Sequence, residues 1–447
     1  MASTSTKELS SSSSSSATAV APTAEQGILA HPVGFRRRKY ADEGPQHASW
    51  RNHSKHIFVL SNAGKPVYSR YGDPLKLAGV MGVLQAFFSF VVDDEDELHH
   101  VRAGKQRIAF LARGSLYLVC CAKTEEPPAV LRRQLDYVHS LIVSTLTGGI
   151  EKLFQDRPFF DLRHLLEGTE RMIDSLVSYL DTDPCGFCGA INTLPLAEPM
   201  RREIGNIIQD SRSSSFLYGI LTAGHQLVNL VRPRKHVILP ADLHLILNFV
   251  NSVASFRDTE SWVPICLPKF NSTGFLYAYV AFIAPKVCLL MLSLKNDTFY
   301  ELSKCKDSIV KQMKSIGALE AVENALRSQQ CSLRQVNAPG LLDFLYISKI
   351  TRQLVHPVSA PPYHTPRHRK RLLRLYHRLH QRARHSQMYY YQSDWETVVL
   401  VSAENYEFFC TFGPLVTKEK VVAACEHLLH WIKTHESTYF ILNSPVY

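Results

Sequence analysis

The sequence predicts an α+β protein made of three consecutive copies of one small unit, each a mostly antiparallel sheet flanked by helices. Three observations carry that expectation. The chain has 447 residues, too many for one ordinary hydrophobic core, so two to four domains are expected. A hairpin signature recurs: residues 56–71 read HIFVLSNAGKPVYSRY, an apolar run, a turn at Asn62-Ala63-Gly64-Lys65, and a returning Val67-Tyr68-Ser69-Arg70. Gly64 takes positive φ at little cost and its flanks suit a pleated, half-buried surface. Residues 216–233, FLYGILTAGHQLVNLVRP, repeat the pattern, and 344–357, FLYISKITRQLVHP, repeat it more faintly. Finally, apolar strand–turn–strand segments beginning at Phe110, Phe282 and Leu400 are each followed by a breaker and a helical pattern.

In chain order, 1–51 reads as a disordered tail, with serines throughout 10–16 and a basic tether at Arg36-Arg37-Arg38-Lys39. Such a segment cannot bury enough surface to offset its ordering entropy. The first unit spans 52–160. Its hairpin leads to an apolar helix at 75–92, an acidic loop at 93–97 and strands at 98–103, 106–112 and 115–122. Pro127-Pro128 then breaks the chain before a helix over 129–154, on the spacing of Leu131, Leu135, Val138, Leu141 and Ile142. Residues 161–195 read as a connector holding an amphipathic helix at 162–182. The second unit, 196–332, has its hairpin and a helix opened by Pro240-Ala241-Asp242 and running to about residue 254. Strands at 262–268, 275–284 and 286–294 follow, then a helix at 303–315 whose pattern resumes to 328. The third unit, 333–447, has a basic helix at 367–385, strands at 388–392, 396–402 and 406–412, and a final helix at 418–435. Strands followed by segregated helices make an α+β layer.

Composition is that of a globular protein with a mild basic excess, net charge +10. That excess suits acidic lipid, acidic protein faces or nucleic acid without choosing among them. The ten cysteines are scattered and no signal peptide is read, so reduced thiols in the cytosol are expected. The window 75–92 carries Lys76, Gln85 and Ser89 and is expected to be a buried helix rather than a membrane span.

The sequence contains no phosphate loop, no dinucleotide fingerprint, and no GxSxG or HExxH. Cys185-Gly186-Phe187-Cys188 is a lone CxxC without further ligands at metal spacing, so neither cofactor nor metal is expected. Two surfaces stand out instead. The stretch RHRKRLLRLYHRLHQRARH, 367–385, has a narrow apolar stripe at Leu372, Leu375, Tyr376 and Leu379. The rest is nearly all cationic, without acidic residues at i,i+4. Arg369, Lys370, Arg371, Arg374, Arg378 and Arg382 are therefore candidate contacts to an anionic membrane. No aromatics interleave for base stacking, so nucleic acid ranks lower. The second surface is helix 75–92, whose Leu77, Val80, Met81, Leu84, Phe87, Phe88, Val91 and Val92 cover more than one stripe. Such a helix is covered on two sides, by this chain or by another protein. Gly79 and Gly82 permit close approach by either.

The stretch HIFVLSNAGKPVYSRYGDPLKLAGVMGVLQAFFSFV resembles the opening of the SAND family, the vacuolar-fusion Mon proteins. The likeness continues through SLYLVCCAKTEEPPAVLRRQLDYVHSLIVSTLT, SFLYGILTAGHQLVNLVRPRKHVILPADLHLILNFVNS and SWVPICLPKFNSTGFLYAYV, covering roughly 52–447. The resemblance implies three longin domains and a heterodimer with a Ccz-type longin protein. It implies that the pair is an exchange factor, without covalent chemistry, for the late-endosomal Rab GTPase. It further implies recruitment by the early-endosomal Rab and phosphoinositide to endosome and vacuole membranes. On this reading Asn62, Lys65, Lys76, Met81 and Gln85 are candidate GTPase contacts, and Val80, Leu84, Phe87 and Phe88 the partner-facing side of the helix. A non-catalytic longin scaffold or tether is the alternative.

Overall fold

The structure, a computed structural model, describes residues 40–92, 96–328, 331–382 and 388–447. The serine run, the basic tether and most of the acidic loop fall outside those residues. Three sheets share one strand order. In unit one, β1 (Lys55–Ser61) and β2 (Pro66–Ser69) form the first hairpin, and β3 (His100–Ala103), β4 (Gln106–Arg113) and β5 (Leu116–Ala122) a meander, in the order β2-β1-β5-β4-β3. Unit two repeats it with β7 (Tyr218–Ala223), β8 (Gln226–Val231), β9 (Ser261–Leu267), β10 (Asn271–Ala284) and β11 (Val287–Ser293), ordered β8-β7-β11-β10-β9. Unit three does so with β12 (Leu341–Ser348), β13 (Gln353–Val355), β14 (Met388–Gln392), β15 (Thr397–Ser402) and β16 (Tyr406–Phe412).

In every unit the first and last strands pair antiparallel at the centre: Val59 faces Leu118, Leu221 faces Leu289, and Leu345 faces Phe409. Central strands bury both faces and read as unbroken apolar runs, which is why they are legible in the sequence. The hairpin turns need one left-handed residue. Gly64 (φ 75°) and Gly224 (φ 59°) supply it in the first two units, and Arg352 (φ 55°) in the third. Replacement of glycine by arginine there explains the faintness of the third copy. A short extra strand, β6 (Ile191–Asn192), runs parallel to β13, and the next residue, Thr193, bridges to Leu227 of β8. Sheets two and three are thereby stitched along their hairpin edges.

Helices occupy matching places. Between the second and third strands lie α2 (Ala78–Val92), α8 (Pro240–Ser252) and α12 (Pro366–Arg382); after the fifth lie α3 (Pro128–Leu146), α9 (Phe299–Ser315) and α13 (Lys418–Thr434). The remaining helices are α1 (Ala48–Asn52), α4 (Ile150–Asp156), α5 (Glu170–Thr182), α6 (Cys185–Cys188), α7 (Glu198–Asp210), α10 (Ala318–Ser328), α11 (Leu333–Val336) and α14 (Glu436–Tyr439).

Four expectations need revision. Residues 40–51, assigned to the tail, pack on unit one: Tyr40 lies edge-on to Tyr71 at 5.4 Å, and its carbonyl accepts from the Gly72 amide. The helix over 129–154 breaks at Thr147 (φ 62°), where the Gly148 amide turns to donate to Ser272 O of unit two, 2.6 Å. The helix at 162–182 begins as a single tight turn, Leu162–Leu165, and only α5 is regular. Most consequentially, α5, read as part of a connector, is a packed core helix. It packs on α3, α8 and α12, one helix from each unit, and buries Met172, Ile173, Leu176, Val177 and Leu180. Tyr68 of β2 donates to its Asp174, 2.5 Å, and Asn248 of α8 donates to its Met172 carbonyl, 3.0 Å.

Candidate partner-docking surface

Asp73 caps the turn before α2 by accepting from the Leu75 amide, 2.9 Å. From Leu77 onward the apolar residues at 77, 81, 84 and 88 fall on one face. All four are buried, against Phe58 and Leu60 of β1, Phe110 of β4 and Val119 of β5. Phe88 meets Phe110 edge-on at 5.3 Å and stacks on Tyr117 at 4.2 Å. The opposite face is equally apolar and bare. Val83 is 60% exposed, Phe87 40% and Phe90 73%, with Gly79, Gly82 and Ala86 exposed between them. A methyl group added at Gly79 or Gly82 would meet nothing. No charged residue occurs from 77 to 92.

The hairpin turn borders this face. Gln85 donates to Asn62 O, 2.8 Å, pinning helix to turn, and Lys65 donates to the Phe159 carbonyl. Phe159, 71% exposed, extends the apolar margin, with exposed Leu75 and Lys76 at the helix entry. The sequence reading is therefore corrected at three positions. Met81, Leu84 and Phe88 are committed to the chain's own core and are unavailable to a GTPase or partner. Of the remainder, Asn62, Lys76 and Phe87 are exposed, Val80 is half-buried, and Lys65 and Gln85 hold the turn. Val83, Phe90 and Phe159 were missed. Val83 and Phe90 sit one helical repeat apart, opposite the inward set, which was the available signal.

The equivalent helix in unit two has no such face. From Asp242 to Val250 every residue of α8 is buried, between its sheet, α5 and α3. The Asp242 carboxylate accepts from the Lys269 and Phe270 amides, 3.2 and 2.9 Å. His244 is fully enclosed, neither ring nitrogen finds a partner, and burial pushes it down to about 4.

In unit three, α12 is covered in part. Arg369 is buried and pairs with Asp343 of β12, 2.9 Å, which also accepts from Tyr376 OH, 2.9 Å. Arg371 grips both oxygens of Glu396, 2.7 and 2.5 Å, and Arg378 pairs with Glu125 of unit one. The apolar stripe is wider than the sequence suggested, since Leu373 is buried too. Arg369, Arg371 and Arg378 are thus corrected from membrane contacts to ion-pair partners. Their carboxylates come from distant strands and loops, which helical spacing cannot reveal. Arg371 and Arg382 are exposed, and Lys370, Arg374 and Arg378 are half-buried.

Three domain-family profiles match the chain. They are described as the first, second and third longin domains of FUZ, MON1 and HPS1, and they match 55–176, 214–311 and 340–436. The chain is 37% identical over 431 residues to vacuolar fusion protein MON1 homolog A of Bos taurus, covering 94% of this chain and 78% of that one. The human homolog A shows 37% identity over 431 residues, with 94% and 66% covered. Vacuolar fusion protein MON1 of Yarrowia lipolytica shows 34% over 406 residues, with 88% and 75% covered. This chain belongs to the MON1/SAND family of three-longin proteins. The three units of the fold are its three longin domains.

Two interior features complete this longin assembly. Lys55 at the start of β1 is buried, and its Nζ reaches Asp181 of α5 (2.6 Å), Glu126 (2.7 Å) and Gln134 of α3 (2.9 Å). Arg70 joins Asp181 at 3.3 Å, and buried His377 of α12 lies 4.0 Å from Glu126. Burial alone would lower Lys55, but Asp181 and Glu126 outweigh it and hold it above its ordinary value. Burial alone would raise Glu126 and Asp181, but Lys55 outweighs it and both carboxyls sit below theirs. The knot ties the first and third longin domains to α5. Elsewhere, burial pushes the Cys188 thiol of α6 up to about 12 and Cys185 well above its ordinary value. Neither is poised as a thiolate.

Proposed function

We propose that this chain is one subunit of a two-protein guanine-nucleotide exchange factor that activates a late-endosomal or vacuolar Rab GTPase, with a Ccz-type longin protein seated on α2. The observation that carries the reading is the bare apolar face of α2, at the helix position that the second longin domain covers fully, and the third in part, from within the chain. Contiguous exposed apolar surface of this kind marks an interaction site, and glycines with open space above them admit a close backbone. The names of the relatives, vacuolar fusion proteins, support a role in endosome-to-vacuole traffic. Among the described residues no helix is long and apolar enough to cross a membrane, which supports peripheral attachment. Lys370, Arg374 and Arg382 are the contacts to an anionic phosphoinositide surface, and the early-endosomal Rab is the recruiting partner.

The mechanism makes no covalent bonds. A GTPase holds its nucleotide through phosphate-loop amides, Mg²⁺ and ordered switches. A factor that binds the opened switch state better than the closed one weakens nucleotide affinity by linkage. Asn62 and Lys76, exposed beside the α2 face, are the groups placed to touch the switches. The test is release of fluorescent GDP from the late-endosomal Rab, with this chain alone and with its partner. Acceleration that requires the pair and is lost in Val83→Asp/Phe90→Asp is the expected result. Binding without acceleration would make the chain a scaffold, and partner binding unchanged by the substitutions would overturn the role of α2.

A further inference from the structure

A cleft of about 310 Å³ lies between the first and third longin domains, lined by His100, Arg102, Arg107, Pro127, Pro128, Arg378, Gln381 and Arg382 among others. Its two walls repel themselves. Arg102 of β3 and Arg107 of β4 are register partners across the strand pair, so two arginines share one face, with Arg102 Nε donating to the Gly104 carbonyl, 3.4 Å. Like charges directly opposite destabilise a sheet. On the other wall Arg378 and Arg382 are four residues apart on α12, where like charges also cost stability. Little local acid offsets them. Arg107 donates to the main-chain carbonyls of Glu125 and Glu126, 2.7 Å each, which leaves its charge standing. The Glu125 side chain takes one nitrogen of Arg378, while the Arg378 Nε is buried without a partner. Between the walls sits the amino-terminal end of α3, at Pro127 and Pro128, with no side chain capping it and no acidic residue in its first turn. That end carries partial positive charge. Four guanidiniums and a helix amino terminus against one carboxylate make a cavity of net positive charge.

We propose that this cleft binds a small anion carrying several phosphates, which bridges the first and third longin domains. Arginine matches phosphate through paired donors, and a cavity this size accepts a phosphorylated ring rather than a single ion. The ligand would relieve both repulsive pairs at once. The proposal concerns neither α2 nor the GTPase and so stands apart from the exchange reading; it shares Arg382 with the proposed phosphoinositide contact, and the soluble probe tests the cleft without a membrane.

The clustered phosphates can belong to a free polyphosphate or to a lipid headgroup, and the experiment separates them. The full chain is titrated with inositol hexakisphosphate by calorimetry and thermal shift, and in parallel sedimented with phosphatidylcholine vesicles with and without phosphoinositide. The double variant Arg102→Ala/Arg382→Ala, at two exposed positions, is compared with wild type and with Lys311→Ala, exposed on α9 and outside the cleft. Binding of the soluble probe, weakened about tenfold or more in the double variant and unchanged in Lys311→Ala, supports the proposal with a free polyphosphate. Phosphoinositide-dependent sedimentation with the same variant pattern supports it with a lipid headgroup. No binding in either arm, or binding indifferent to Arg102 and Arg382, overturns it. The ligand-free melting temperature of the double variant must also equal or exceed wild type. A fall would show that these arginines serve the fold instead and would likewise overturn the proposal.

Discussion

Helices α2 and α8 occupy the same place in the same strand order, yet one is bare on its outer face and the other is sealed. α8 is sealed because α5 and α3 lie across it, and its sequence tolerates a buried histidine and aspartate whose polar needs are met, or left unmet, inside the chain. α2 has no such cover among the described residues and still carries no charge to meet water. An apolar helix face without an internal partner is costly to keep in solution, and the proposed partner site rests on that contrast. Copying a module three times produced three chances to cover one helix, and the chain covered one fully and one in part.

The largest effect should come from the knot that seals the covered side. Lys55→Met leaves Glu126 as a buried, uncompensated carboxylate and Asp181 with Arg70 alone, and should cost about 3–5 kcal/mol, read as lost melting temperature or loss of soluble protein. A mild change there would mean that the first domain does not depend on α5. Truncating α8 comes next: Ile246→Ala should destabilise by about 2–5 kcal/mol in denaturant unfolding, whereas Val83→Ala on α2 should fall within about 0.5 kcal/mol.

Acid should also discriminate the two helices. His244 is held down to about 4 against an ordinary 6.5 by burial. Its folded-state value is depressed, so the stability it permits is complete above 6.5 and is lost as pH falls toward 4. Over that window the loss is about 3 kcal/mol at most. Glu126 and Asp181, also held low, extend the decline below the carboxylate range. His244→Leu should flatten the upper part of a plot of melting temperature against pH, and an unchanged slope would remove His244 from the account. α2 contains no titratable group and no substitution on its bare face should alter that slope.

The smallest effect is the most specific. Gly82→Ala has open space for its methyl group and removes a glycine from a helix interior, so the chain alone should gain about 0.5–1 kcal/mol. If a partner backbone approaches there, the same change should weaken association. Stabilisation without weaker association would place the contact elsewhere on the helix.

Strands and hairpins were legible because their signals are local: turn glycines, apolar runs and breakers lie within ten residues of one another. Boundaries of β4, β5, β15 and β16 fall within a residue of expectation. Helix α7 went unread although Pro199 opens it and Met200, Ile204, Ile207 and Ile208 mark one face. The site was harder. A helix apolar all round does not announce which face its own sheet will take, so Met81, Leu84 and Phe88 were assigned outward when they point in. The arginines of α12 were read as membrane contacts because Asp343, Glu396 and Glu125 are supplied by remote segments. The Lys55 knot joins residues more than a hundred positions apart, and no window of sequence holds it.

One small feature has a broad effect on how the protein can be handled. Because α5 rests on one helix from each lobe, no lobe can be excised without stripping the others of a wall. Separate expression of any longin domain should therefore yield sticky fragments rather than miniature proteins. Any push felt by one lobe has a rigid strut through which to reach the other two.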